Sequence, residues 1–343
     1  MKHIGLDVHS TTTVVNVLND RGRSILRRQV PTRESDLVDF MKSIPGPKRV
    51  ALEESQMADF VARVIAPHVK EVIRCQPQHN RLISEAEDKC DKKDAEKIAE
   101  LLFLNKLKSV HHPSWMYRQL REGVRCYWIS SRDLTTAKNR LKAFYLFNGI
   151  HCVGEKAYCK QQQEIYRAKL KRCSGNQNLL DLKYRLLETC RESKAAHVRE
   201  LRNLSAQLKD DVARLASIPG IGLIGACTLL AYLENGWRIP NKRKLWQYCG
   251  IGIRRHESNN KGYQGASKKG NRYLKNVLMT AASSIAARRQ ADNALTKAWH
   301  AGRTEGMETS RLRRNMARTI VVLAHHLLRF KEMYNDDRVM TRH

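Results

Sequence analysis

Four carboxylates and one serine in this 343-residue chain have the types and placement for chemistry on phosphate esters. Asp7 sits late in a short apolar run, Ile4-Gly5-Leu6-Asp7-Val8. An ionised Asp on a buried strand is costly unless a cation meets it. Glu53 ends a second apolar run, Val50-Ala51-Leu52. Asp91 and Asp94 are spaced i, i+3, so on a helix they share one face. Four carboxylates brought together repel strongly unless cations bridge them. Hard oxygen ligands suit Mg2+, or Mn2+ in its place. Two such ions ~4 Å apart activate an attacking oxygen and stabilise a leaving one. Each acid also has a plainer role. Asp91 and Asp94 suit the dipole of a first helical turn, and Glu53-Glu54 suits a solvated strand end. Glu54 competes with Glu53; strand alternation sets Glu53 beside Ala51 and favours it.

Ser267 lies in Gly265-Ala266-Ser267-Lys268-Lys269-Gly270-Asn271-Arg272, ahead of a long helical pattern. As a helix N-cap it needs no further role. As a nucleophile it needs activation, because a serine hydroxyl is weak at neutral pH. Lys268, Lys269 and Arg272 are placed to stabilise phosphate charge. On the residues alone the cap is the simpler role, and both stay open. Around the serine, residues 241–275 hold ten Lys and Arg against one acid, Glu257. Lys242, Arg243, Arg254, Arg255, Lys261, Lys268, Lys269, Arg272 and Lys275 are the expected phosphate contacts, with Trp246, Tyr248, Tyr263 and Tyr273 interleaved. Cations for phosphates and ring faces for bases make a nucleic-acid surface. Upstream, Ile218-Pro219-Gly220-Ile221-Gly222 before a small-residue helix resembles the hairpin of helix-hairpin-helix DNA binders. Glycine there lets backbone N–H groups approach a phosphate at a helix start; a plain tight turn is the alternative.

The elements that must position these groups follow from periodicity. Ile4–Val8, Thr12–Leu18 and Ser24–Val30 read as a three-strand antiparallel meander, turned at Asn19-Asp20-Arg21-Gly22. A helix capped by Thr32 follows, then a strand Arg49–Glu53, a helix Ala58–Ala66, a strand Val69–Cys75 and a helix from Asp91. The order β-β-β-α-β-α-β-α predicts a mixed sheet with helices on its faces. It is the order of ribonuclease-H-like folds, which opens both actin-like ATPases and metal-dependent nucleases. The absence of a later Gly-rich phosphate loop disfavours the ATPases. Pro113 marks a boundary. Three helical segments follow, to Phe147, over Glu155–Arg172 and over Leu179–Leu215. The last has Leu180, Leu187, Leu201, Leu208 and Leu215 at sevens, with Lys194 in the missing slot. That seam predicts a helical hairpin or coiled coil: a spacer, or an arm that pairs protomers. An apolar helix Leu223–Leu233 and a long helix through Ala287 complete the reading. Three segments result: an α/β domain over 1–112, a helical coiled-coil linker over 113–215, and a mainly α domain over 216–343.

Lys and Arg number 63 against 34 Asp and Glu, a net charge of +29. Such a balance speaks about partners and not fold, and a nucleic acid is the simplest partner. A solvated, highly charged surface is the bland alternative. Nine cysteines in irregular spacing, none in C-x-x-C, read as reduced thiols of a cytosolic protein and not a disulfide framework or a zinc site. No signal peptide or membrane span is expected, since no apolar stretch reaches ~18 residues.

Taken together, the chain resembles the IS-one-ten family of bacterial insertion-sequence transposases, related to the Piv DNA invertases. The matching pieces are Ile4-Gly5-Leu6-Asp7, Ala51-Leu52-Glu53, Asp91-Lys92-Lys93-Asp94-Ala95, Ile218-Pro219-Gly220-Ile221-Gly222 and Ser267-Lys268-Lys269-Gly270-Asn271, in family order. Where the family often continues its Glu with Ala-Thr-Gly, Glu54-Ser55-Gln56 follows here. The resemblance implies a RuvC-like domain whose Asp7, Glu53, Asp91 and Asp94 bind Mg2+, a coiled-coil linker, and a C-terminal transposase domain whose Ser267 forms a covalent phosphoserine link to DNA. It also implies target and donor DNA, a structured non-coding guide RNA, a dimer or tetramer that assembles acids and serine between protomers, and a nucleoid-associated cytoplasmic location. A RuvC-like nuclease using metal-activated water, and a non-enzymatic nucleic-acid binder, are the competing classes. The first would not need Ser267; the second would not need the acids.

Overall fold

The two apolar runs that carry Asp7 and Glu53 form adjacent parallel strands. β1 (Lys2–Val8), β2 (Thr12–Leu18) and β3 (Ser24–Pro31) make the antiparallel meander. β4 (Lys48–Glu53) and β5 (Glu71–Cys75) add in parallel, giving the order β3-β2-β1-β4-β5. The computed structural model describes residues 1–75, 91–258, 261–266, 270–288, 290 and 292–337. It divides into two compact units, Met1–His112 and Pro113–His343.

In the first unit the pleat sorts the side chains. Ile4, Leu6, Val50 and Leu52 point to one face and pack with Leu37 and Met41 of α1 (Glu34–Ser43) and Val61 and Ile65 of α2 (Ala58–Ile65). The other face carries Gly5, Asp7, Ala51 and Glu53. It is covered by α3 (Asp91–Phe103), whose Ile98 and Leu102 bury Ala51. α3 lies directly on β1. A Cβ placed on Gly5 would sit 2.1 Å from the carbonyl oxygen of Ala95 and 2.5 Å from the amide nitrogen of Ala99. Glycine is required at position 5 because a helix backbone occupies the space. Thr32 does not cap α1 as expected; Arg33 stands at the cap position without a side-chain bond. The Thr32 hydroxyl instead donates to the His9 carbonyl at 3.0 Å and bonds the Thr13 hydroxyl at 2.9 Å. It pins the turn that follows Asp7.

The second unit opens with α4 (Trp115–Phe147), 33 residues and about 50 Å long. The expected Glu155–Arg172 helix is shorter. Two 3-10 turns, Lys156–Tyr158 and Lys160–Gln162, precede α5 (Gln163–Arg172). α6 (Gln177–Leu204) folds back along α4. Leu180 and Leu187 pack with Leu141 and Tyr145, and Leu201 joins the core that holds Leu120 and Val124. Lys194 fills the gap in the seam by lying over the Tyr127 ring at 5.6 Å. The seam is therefore covered within the chain as an antiparallel hairpin. The heptad register also stops short of Leu215: α6 ends at Leu204, Leu208 belongs to a 3-10 turn, and Leu215 to α7 (Lys209–Ala216).

α8 (Leu223–Leu233) is the centre of this unit, with eight of its side chains buried. Arg121 of α4 caps its end, donating to the Ala231 carbonyl at 2.6 Å and to Glu234 at 2.8 Å. α9 (Lys242–Tyr248), the ribbon of β6 (Ile253–Ser258) and β7 (Lys261–Ala266), and α10 (Arg272–Ala286) follow. α11 (Ala294–Thr304) and α12 (Thr309–Phe330) close the core. One apolar cluster runs from Leu120 to Leu328, so residues 113–215 and 216–343 share a core. The eight described cysteines are free thiols. Among the described residues no helix is long and apolar enough to cross a membrane.

Replacing Gly5 by Ala drives a methyl group into the α3 backbone. Overpacking of this kind costs about 1–3 kcal/mol, so Gly5→Ala should lower the urea midpoint by a corresponding amount. An unchanged midpoint would mean that α3 does not rest on β1.

Candidate active site

The carboxyl ends of β1 and β4 gather the acids. Leu6 pairs with Leu52 in parallel register, and one further step along both strands sets Asp7 beside Glu53. α3 runs back over β1. Its Phe103 meets His3 at one end, ring centroids 5.3 Å apart, while Ala95 lies over Gly5. That direction delivers Asp94, one turn into α3, to the end of β1 where Asp7 stands. The three carboxylates act on one another electrostatically. Glu53 is half-buried, and its Oε1 has no hydrogen-bond partner among the described residues. Burial first, then the negative charges of Asp7 and Asp94, push its carboxyl from 4.5 up to about 7. Asp7, Glu53 and Asp94 thus share one field. Asp91 begins α3 one turn earlier; its side chain lies outside the described residues.

Glu54 points elsewhere. It is exposed and 3.8 Å from Arg74, which also pairs with Asp59. Cys75 lies beside Glu53 on β5, yet burial, Glu53 and Glu54 push its thiol up to about 12. It stays a neutral core group whose Sγ sits 3.6 Å from the Leu52 carbonyl. One neighbour escaped the sequence reading. His9 Nε2 lies 3.1 Å from Asp7 Oδ2; its i+2 spacing from Asp7 was the available signal. Among the described residues no three His, Cys, Asp or Glu side chains stand at metal-ligand spacing. The donor set still fits a hard divalent cation. Its oxygens are carboxylate, an acceptor is buried without a donor, and the like charges raise the pKa of one member, which a cation would reverse.

The expected nucleic-acid residues lie in the second unit. Lys242 and Arg243 are exposed on α9, and Arg272 and Lys275 on α10. Arg254, Arg255 and Lys261 belong to the β6–β7 ribbon, where their side chains lie outside the described residues. Two of the interleaved aromatics are not free platforms. Arg318 lies over Trp246 at 5.6 Å and Arg238 over Tyr248 at 4.7 Å, so their rings are covered from within. The hairpin Ile218–Gly222 joins α7 to α8. Gly220 has φ +86°, and a Cβ there would sit 2.9 Å from the Ala281 carbonyl. Ser267, Lys268 and Lys269 lie outside the described residues. The chain on either side is anchored: Ala266 pairs with Ile253, and the Asn271 amide donates to the Tyr248 carbonyl at 2.7 Å. The N-cap of α10 is Asn271, which accepts from the amides of Tyr273 at 2.9 Å and Leu274 at 3.1 Å. Ser267 is therefore not the cap of that helix.

The mixed α/β sheet with acids at the ends of adjacent strands, and the basic helical unit that follows it, both fall within matches to transposase families. Residues 4–147 match the DEDD transposase profile of IS110 elements. Residues 212–300 match the transposase IS116/IS110/IS902 family. Two relatives agree. A Sinorhizobium fredii (strain NBRC 101917 / NGR234) protein assigned as a transposase, y4pF/y4sB, is 26% identical over 302 residues, covering 82% of this chain and 72% of its own. The Yersinia enterocolitica transposase for insertion sequence element IS1328 is 25% identical over 286 residues, covering 81% and 82% respectively. Both matches are to transposases of IS110 type, over 144 and 89 of the chain's 343 residues.

Because the folded-state pKa of Glu53 is raised, its favourable contribution is present below its ordinary 4.5 and lost as pH rises through about 7. In chelator, Glu53→Gln should melt a few degrees above the parent protein at about pH 8 and show little gain at about pH 5. Thermal melts across that range check the sign.

Proposed function

We propose that this chain is the transposase of an insertion sequence, cutting and rejoining DNA with Mg2+ or Mn2+ held by Asp7, Glu53, Asp91 and Asp94 and with Ser267 as nucleophile. The observation that carries this reading is the field shared by Asp7, Glu53 and Asp94 at the ends of two neighbouring strands. A divalent cation bound there supplies positive charge to the attacking and leaving oxygens of a phosphodiester. Glu53 must lose its proton to serve as a ligand, so cation binding is coupled to proton release near neutral pH.

The serine step is an exchange of esters. Ser267 Oγ gives up its proton and attacks the phosphorus of a DNA phosphodiester; a deoxyribose oxygen leaves and takes up a proton. One phosphoester replaces another, and the reverse attack by a new deoxyribose hydroxyl rejoins the strand. No high-energy cofactor is needed. Lys268, Lys269 and Arg272 hold the phosphate charge during transfer. The position of Asn271 as the α10 cap supports this assignment, because it removes the structural role Ser267 would otherwise have.

The finer parts of the reading rest on the family resemblance. Residues 1–112 supply the metal site, 113–215 the helical arm, and 216–343 the serine. Target and donor DNA are paired through a structured non-coding RNA. Acids and serine come together between protomers of a dimer or tetramer in the cytoplasm, at the nucleoid. The net charge of +29 suits the handling of two nucleic acids at once.

Recombination between element ends and target, with recovery of covalent protein–DNA adducts, tests the proposal. Ser267→Ala and Asp7→Asn should each abolish the product, by about a thousandfold or more for Ser267, and Ser267→Ala should abolish the adduct. Strand cutting that survives in Ser267→Ala but not in Asp7→Asn would assign metal-activated water as nucleophile.

A further inference from the structure

One pocket of the second unit has the chemistry of a site, and of its lining only Arg272 has a role in the scheme above. Its volume is about 270 Å³, and it is lined by Trp128, Ile129 and Arg132 of α4 and by Arg272, Tyr273 and Asn276 of α10. We propose that this pocket is a subsite for one unstacked nucleotide, whose base lies against the Trp128 ring and the Arg272 guanidinium. The inference rests on the reading that the chain acts on nucleic acid and says where a single strand is gripped.

The walls are built for a flat ring. Trp128 and Tyr273 have centroids 6.5 Å apart and planes at 32°, so they splay. Both are backed. Tyr273 stacks on Tyr232 at 6.0 Å and 13°, and Arg121 of α4 lies over Tyr232 at 5.3 Å. Tyr127 meets Trp128 edge-on at 5.5 Å. The rings are therefore fixed before any ligand arrives, which limits the ordering cost of binding. Arg272 lies over Tyr273 at 4.9 Å and donates to its hydroxyl at 2.9 Å, presenting a guanidinium plane on which bases also stack.

The polar lining completes the match. Asn276, one turn after Arg272, offers both a donor and an acceptor for a base edge. Arg132, one turn after Trp128, is exposed and offers a phosphate contact. No acid is among the described lining residues. The volume, just under the ~300–1,000 Å³ of sites that take a whole small molecule, suits a single base. Trp128 and Arg132 were not in the set expected from the sequence, because the basic stretch that drew attention lies more than a hundred residues further on.

The test is equilibrium binding of the full chain to short single-stranded DNA, short single-stranded RNA and blunt duplex DNA. Trp128→Ala should weaken single-strand binding about tenfold or more, the usual effect of removing a stacking ring, while duplex binding changes less than about twofold. Trp128→Phe, which keeps a ring face, should retain most single-strand affinity. Arg132→Ala should flatten the salt dependence of single-strand binding by about one phosphate contact. The DNA and RNA arms identify which strand supplies the nucleotide. Single-strand binding unchanged in Trp128→Ala would overturn the proposal, and so would equal losses on single strand and duplex. If the parent protein binds duplex but no single strand, the subsite fails and the transposase reading stands. If it binds neither, both fail.

Discussion

The first unit depends on one electrostatic constraint: carboxylates that repel one another are held in a common field at the ends of adjacent strands. Nothing about the acids themselves favours this. What holds them is backbone packing. Gly5 lets α3 lie against β1, Ile98 and Leu102 bury Ala51 on the same face, and the parallel register of β1 and β4 leaves Asp7 and Glu53 no other place to stand. The cost appears on Glu53, whose carboxyl is pushed up to about 7 and whose buried Oε1 meets no donor among the described residues. Active sites are where folds tolerate such stress, and a divalent cation is the agent that converts repulsion into binding.

The second unit solves a different problem, which is to present positive charge on a rigid frame. α8 is buried almost all round and serves as a hub. The α4–α6 hairpin extends from it with its seam covered by aromatic and leucine side chains from the same chain. Exposed Lys and Arg of α9 and α10 then project from helices whose starts are fixed by Asn241 and Asn271. Where Arg meets an aromatic ring inside the unit, as at Arg318 with Trp246, the pair belongs to the scaffold. At Trp128 and Tyr273, by contrast, ring and cation line an open pocket.

Much of this was legible in the sequence, and for identifiable reasons. The strands of the first unit are β-branched runs broken by turn residues, so their period of two and their order came through. The Leu223–Leu233 helix matched residue for residue because it is a continuous apolar stretch between a Gly-rich turn and a polar one. The break of α6 at Leu204 was hidden, since no Gly or Pro marks it; the heptad of leucines ran on while the backbone turned. Thr32 has the chemistry of a cap, and only the fold shows its hydroxyl committed to His9 and Thr13. Glu53 and Glu54 differ by one residue; the pleat decided between them by sending Glu54 toward Arg74. The Trp128 pocket could not be read at all, because its two walls come from helices far apart in the chain.

The central claim is that the acids of the first unit form a divalent-cation site. Titration of Mn2+ into the full chain at about pH 8, followed calorimetrically, tests it most directly. The account predicts saturable binding that is lost in Asp7→Asn and in Asp94→Asn, with protons released as the pH of the titration is lowered toward 7. Equal Mn2+ binding by the parent protein and both variants would contradict it.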